Sequence, residues 1–367
     1  MGSIARLPHI LGRAASLVAA AALAAAVAAL VLHGIGASQT IVFVVAAVAL
    51  AALATLIGQG TEQLGHRFGP RTTGILQSAL GNLPELFISI FALQAGLVVV
   101  VQTALIGSIL ANTLLVLGLA FFLGGLRHGT QRFHAPAVRT MATLLVLAVA
   151  ALAIPTLATA PGAPDAGHAT DLSVIVSIVL LTIFMASIPF SIGGGVGASA
   201  EVDAILPERV WPIGLTLAVL LVGAGGAALT SDIFVEALRP TMASLGISEA
   251  FVGLVIVAIA GNAVENVVGV QMAIRNKADL AASLILNSSL QVAIALTPAL
   301  VLISLFVGGG ALTLVLSPLL LGAVALSAIL AALIVFDGES TWLEGLALLG
   351  LYVIIAASVW YGPAIHA

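Results

Sequence analysis

The feature that most limits what this chain can become is a succession of uninterrupted apolar runs. Each is about 20 residues long, the length of an α-helix crossing a hydrocarbon core ~30 Å thick. They lie near 14–33, 39–64, 72–94, 97–124, 137–160, 171–191, 210–235, 247–274, 279–307, 312–336 and 343–361, which predicts about eleven transmembrane helices. A membrane barrel would instead alternate apolar and polar residues over about 10 positions. The expected fold is an all-α polytopic membrane protein. Composition agrees: 61% of the 367 residues are hydrophobic and 7% are charged, against about 25% charged in a soluble domain. So few charges cannot solvate a globular surface. The lipid bilayer is therefore the expected environment, in a plasma or inner cell membrane. With no cysteine, a disulfide framework, a zinc–thiolate site and a thiol nucleophile are excluded. No cofactor and no nucleic-acid partner are expected, and the sequence leaves a homo-oligomer open.

Arginine and lysine set the orientation, because they stay on the cytoplasmic side. With a cytoplasmic N-terminus, Arg6, Arg13, Arg67, Arg71, Arg127, Arg132, Arg139, Arg209, Arg275 and Lys277 all fall inside, and Arg239 falls outside. An odd number of spans then places the C-terminus outside the cytoplasm.

A repeat is legible at a fixed offset. GNLPELFISIFAL begins at Gly81 and GNAVENVVGVQMA begins 180 residues later, at Gly261. Without gaps, Asn82 matches Asn262, Glu85 matches Glu265 and Ser108 matches Ser288. Five spans separate the copies, so they enter the membrane from opposite sides. Such inverted repeats are common in secondary transporters, with the site at the repeat interface. The expected organisation is an N-terminal helix in 1–38, a first repeat in 39–191, a cytoplasmic linker in 192–209 and a second repeat in 210–367.

The chemistry sits on these motifs. Glu85 and Glu265 lie inside apolar spans, where an ionised side chain costs ~2.5 kcal/mol or more, and intramembrane ionisable residues are functional by default. Each follows an asparagine by three positions, so Asn82 shares a helix face with Glu85, and Asn262 with Glu265. Gly81, Gly261 and Pro84 suggest local breaks that free backbone carbonyls. Two carboxylates, amide oxygens and freed carbonyls form a hard, oxygen-only set. Such a set suits calcium, which takes about 6–8 oxygen ligands. Ser108 and Asn112 share one face of the fourth span, and Asn287, Ser288 and Gln291 line the ninth; they offer neutral oxygens or interhelical hydrogen bonds. Glu62, after Thr61, and Asp232, after Ser231, form a candidate second acidic pair on a proton or cation path, against a plain reading as solvated carboxylates. The acidic stretch with Glu201, Asp203 and Glu208 reads as a solvated loop. His66, His128, His134 and His168 are read as loop residues without metal-ligand spacing. GGGVGA from Gly193 lacks the strand-to-helix setting of a phosphate cradle.

With these motifs the chain resembles the calcium/proton antiporter family within the cation/calcium exchanger superfamily. The resemblance covers most of residues 50–305, including the Thr61-Glu62 pair and the Gly-Ser-x-Leu-x-Asn segment from Gly107. It implies two inverted repeats, usually eleven spans, and a Gly-Asn-x-x-Glu motif on a broken helix in each repeat. It also implies Glu85 and Glu265 as central cation ligands, with Asn82, Asn262, Ser108, Ser288 and Gln291 beside them. Two positions depart from the pattern. Asn266 stands where the family usually has histidine. The first motif reads Asn-Leu-Pro-Glu in place of Asn-Ala-Thr-Glu, and its Pro-Glu-Leu ending is similar to the sodium/calcium exchanger branch.

The expected function is export of calcium, or a similar cation, in exchange for protons by alternating access. Burial disfavours the charged form of a carboxylate, so protons and a divalent cation compete for the same two groups. The runner-up is sodium-driven calcium exchange. A cation channel and an intramembrane hydrolase are the rivals from other classes; the hydrolase lacks a histidine near either glutamate in sequence.

Overall fold

A computed structural model of the chain describes residues 12–68, 80–133, 135–163, 167–190 and 210–361. Within lipid every backbone polar group must be satisfied internally, and these apolar runs do so as helices. The helices are α1 Arg13–Gly34, α2 Gln39–Phe68, α3 Leu83–Gln94, α4 Val98–His128, α5 Ala135–Ala158, α6 Ala169–Phe190, α7 Ile213–Leu245, α8 Glu249–Gly261, α9 Ala263–Ile274, α10 Ala278–Val307, α11 Pro318–Phe336 and α12 Trp342–Tyr361. Among the described residues, nine helices are long and apolar enough to cross a membrane, or ten if the bent pair α8–α9 counts as one span. The third expected span is represented by the 12 residues of α3; its first part, 72–79, lies outside the described residues, as does the whole of the expected linker 192–209.

Two expected boundaries move, each for a local reason. The seventh span was expected to end at 235, but α7 continues to Leu245. Glu236 and Arg239 are no obstacle to a helix that has left the apolar layer, and the stop comes at Gly246, a left-handed cap whose N–H bonds the Met242 carbonyl. The tenth was expected from 312, but α11 starts at Pro318, with Ser317 as its N-cap accepting from the Leu320 N–H. Residues 311–317 before it are not helical; Leu312, Leu314 and Leu316 are buried, and their N–H groups donate to Ser304 Oγ, Ser173 Oγ and Thr156 Oγ1, each at 2.9 Å.

The chain folds into two compact units, each drawing helices from both expected repeats. The first comprises Met1–Phe91, Ser199–Gly246 and Ala260–Val264. Here α2 and α7 run antiparallel in contact along their whole length. The Trp211 N–H donates to Gln63 Oε1 at 2.8 Å and Arg67 Nη2 donates to the Trp211 carbonyl at 3.1 Å. Small residues let the backbones close in the middle, with Gly223 against Ile57 and Gly226 against Leu53. Phe43 stacks on Phe234 at 4.7 Å towards the other end, where Thr40 and Ser244 hydroxyls meet at 3.3 Å. α1 packs on this pair, with His33 Nε2 3.3 Å from Glu236 Oε2.

The second unit comprises Ala92–Ala198, Ile247–Ile259 and Glu265–Ala367. Its α4 presses backbone to backbone on α8. A side chain at Gly107 would meet the Leu254 backbone, and one at Gly253 would meet Thr103 Oγ1 and the Val100 carbonyl. Two short strands, β1 Gln131–Arg132 and β2 Glu339–Ser340, pair antiparallel, with Arg132 Nε 3.0 Å from Glu339 Oε1. On the same side Gln131 Nε2 donates to the Ala273 carbonyl at 3.0 Å, and His128 Nε2 lies 2.8 Å from the Ile274 carbonyl. His128 is the last residue of α4 and His66 lies in the last turn of α2, so neither is the loop residue that the sequence suggested.

The helix bounds repeat at the motif offset. α3 and α9 start at Leu83 and Ala263 and end at Gln94 and Ile274, 180 residues apart at both ends. α4 and α10 start at Val98 and Ala278, again 180 apart. Both then widen into π-helical turns, Ala111–Val116 and Val292–Leu296, which end 180 residues apart.

Candidate functional site

Glu85 is the third residue of α3, where the free N–H groups of a helix start favour a carboxylate. Pro84 sits in that first turn, where its missing N–H is no loss. Glu85 is 5% exposed, and Oε1 accepts a hydrogen bond from Asn262 Nδ2 at 2.6 Å. Asn262 is itself buried, in the turn between α8 and α9. Gly261 beside it leaves room for the carboxylate: a Cβ there would run into Cγ of Glu85. The glutamate of the first motif therefore meets the Gly-Asn of the second, 177 residues away along the chain.

Glu265 takes the matching place as third residue of α9; its side chain lies outside the described residues. α8 and α9 are bent by 62° at this break. Asn266 Nδ2 reaches back to the Ile259 carbonyl at 3.4 Å, occupying an acceptor freed by the bend. Asn82 is half-buried in the turn before α3, and its carbonyl accepts from the Leu86 N–H.

In the second unit Ser108 and Asn112 of α4 are buried, as are Ser288 and Gln291 of α10, while Asn287 is half-buried. Asn112 Nδ2 donates to Ser288 Oγ at 3.1 Å, joining the two helices where their π turns begin. The Ala111 N–H is shared by the Gly107 and Ser108 carbonyls, and the Val292 N–H by those of Ser288 and Ser289. π turns inside α-helices are frequent at functional sites.

Glu62 and Asp232 are not brought together. Glu62 is half-buried beside Gln63, at the end of the α2–α7 pair marked by Trp211, whereas Asp232 is exposed beside Phe234 at the other end. From Ile213, the start of α7 beside Trp211, to Asp232 is 19 residues, which correspond to ~30 Å of helix. The acidic stretch 201–208, the glycine run from 193 and His134 lie outside the described residues, as does the His66 side chain.

A carboxylate held by an amide at a helix start, beside a backbone break, is hard-oxygen chemistry suited to a cation or a proton. The family described as sodium/calcium exchanger protein matches residues 38–193 and 215–361. The chain belongs to that family. Among relatives of this exchanger, a protein of Synechocystis sp. named Ca(2+)/H(+) antiporter is 35% identical over 354 residues, covering 91% of this chain and 94% of its own length. The Ca(2+)/H(+) antiporter ChaA of Bacillus subtilis is 34% identical over 322 residues, covering 87% and 91%. The solved structure of the Ca2+/H+ antiporter protein YfkE superposes with a TM-score of 0.80 at 31% identity, over 95% of this chain and 99% of that one.

The sequence of this exchanger did not foretell the π turns or the non-helical segment 311–317. Nothing in residue type marks a π turn within an apolar run. That segment did carry a signal, three glycines before it and Ser-Pro at its end.

Proposed function

We propose that this chain is a Ca2+/H+ antiporter that exports calcium, with Glu85 and Glu265 as the carboxylates for which calcium and protons compete. The observation that carries this reading is the 2.6 Å bond from Asn262 to Glu85. It joins the two Gly-Asn-x-x-Glu motifs at a buried, titratable oxygen. The names of the relatives support the choice of ions. Asn82, Ser108, Ser288 and Gln291 supply neutral oxygens, and Asn112 and Asn287 stand beside them. Protonated carboxylates and a calcium-loaded pair both lack the net charge that makes an empty site costly to move through a low-dielectric region, which enforces exchange. The two repeats are inverted, with the N-terminus cytoplasmic and the C-terminus outside. The arginine distribution supports this, as does the meeting of β1 with β2, which needs the loops after α4 and α11 on one side.

The test is calcium efflux from loaded proteoliposomes with the membrane potential clamped. An inward proton gradient accelerates efflux. Acceleration by sodium at equal pH on both sides, with no response to a pH step, would assign the chain to sodium-driven exchange instead.

A further inference from the structure

The glutamate of the second motif rides on a short helix that is cut off at its start. The 12 residues of α9 make ~18 Å of helix, well short of a ~30 Å hydrocarbon core. The break at Asn262 separates α9 from α8, and the axis turns there by 62°. The direction of α9 is therefore not inherited from the helix before it.

Its far end is gripped by side chains from α4 and β1. The Asn276 N–H, at a residue with positive φ, and the Lys277 N–H close the last turn on the Ala273 and Met272 carbonyls. Two side chains then reach the final carbonyls, Gln131 Nε2 on Ala273 at 3.0 Å and His128 Nε2 on Ile274 at 2.8 Å. A carbonyl only accepts, so His128 carries a proton on Nε2. Gln131 is held in turn by the β1–β2 pairing, opposite Ser340.

These bonds differ from ordinary helix capping in two ways. Gln131 is 1% exposed, and its Oε1 has no hydrogen-bond partner among the described residues. Burying an unpaired acceptor lowers stability, so an apolar side chain of the same shape would serve the packing better. What the amide adds is direction, and Gly124 leaves it room: a side chain at 124 would collide with it. The contact also recurs in the other repeat with different chemistry. At the 180-residue offset Gly308, Gly309 and Ala311 stand for His128, Gly129 and Gln131, and Leu93 stands for Ala273. Gly309 lies against the Leu93 carbonyl at the end of α3. Each glutamate-bearing helix thus ends on the tail of the long helix of the opposite repeat, and at α9 side-chain donors take the place of glycine and alanine.

We propose that Gln131 and His128 are positioning residues for Glu265, which fix the tilt of α9 and so the place of its carboxylate. The proposal rests on the reading of Glu265 as a calcium ligand. From Ala273 back to Glu265 is eight residues, ~12 Å of helix, and a tilt of about 5° about the gripped end moves the third residue of α9 by roughly 1 Å. Calcium–oxygen distances span about 2.3–2.6 Å, so a shift of that size removes a ligand.

Gln131→Met keeps the length of the side chain and removes the donor, and the Ala273 carbonyl retains the Asn276 N–H. His128→Phe keeps a ring without Nε2, and His128→Gln restores a donor at similar reach. Each variant is read by proton-driven calcium flux in proteoliposomes and by calorimetric calcium titration of the detergent-solubilised chain. In Gln131→Met and His128→Phe the half-saturating calcium concentration and the dissociation constant should both rise about tenfold, as when the support of a metal ligand is lost. The thermal unfolding midpoint should stay at its parental value, and His128→Gln should return both calcium constants to parental. Parental calcium affinity in both Gln131→Met and His128→Phe would overturn the proposal, and so would a lowered midpoint with affinity unchanged. A parental chain that binds calcium without proton-driven flux would defeat the antiporter reading, and the titration would still decide the role of Gln131 and His128.

Discussion

At the residue scale, the bond from Asn262 to Glu85 separates charge from shape. In Glu85→Gln the side-chain carbonyl still accepts from Asn262 Nδ2, so the packing survives while the charge is gone. Transport in proteoliposomes should fall to background, with the thermal unfolding midpoint in detergent unchanged. Gly261→Ala makes the complementary test, since it leaves every charge in place and drives a methyl into Cγ of Glu85. Overpacking of this kind costs about 1–3 kcal/mol, so both flux and unfolding midpoint should drop. Gly225→Ala in α7, with open space around it, should do neither. Both glutamates and both asparagines were legible in the sequence because their types are out of place in apolar runs and recur at one offset. That Glu85 pairs with the asparagine of the other motif was not legible. Helical spacing relates residues on one helix face and says nothing of a partner 177 positions away. The same limit explains Glu62 and Asp232. Similar dipeptides in apolar spans suggested a pair, but the antiparallel course of α2 and α7 sends them to opposite ends.

At the element scale, glycine decides how close helices come. The α4–α8 contact rests on Gly107 and Gly253, where backbone meets backbone. Gly253→Ala should destabilise the protein by about 1–3 kcal/mol, read as a lower unfolding midpoint in detergent. Gly322→Ala on α11, whose Cβ would meet nothing within 4 Å, should show no loss. Most helices were legible from run length alone. α7 outran its apolar run because a helix needs lipid-compatible residues only while it is in lipid. Residues 312–317 were expected as helix because Leu-rich residues satisfy a hydropathy criterion in either conformation. What distinguishes them is where the amide protons go, and here they go to hydroxyls on other helices.

At the scale of the whole molecule, the repeat offset found in two short motifs extends to helix bounds and π turns. The compact units nevertheless combine helices of both halves, which hydrophobic runs cannot foretell because every run is apolar enough to pack on any other. Topology is the prediction that belongs here. Reporters active only in the cytoplasm should work when fused near residue 131 or 339, and reporters active only outside should work near 163 or 311. Equal reporter activity at 131 and 311 would contradict an odd number of crossings between them. The segment 311–317 also bears on how the protein is made. Thr156, Ser173 and Ser304, whose hydroxyls accept its N–H groups, all precede Leu312 in the chain, so each has left the ribosome before the amide it must receive. The segment can be seated as it emerges, without waiting for the last helix to be synthesised.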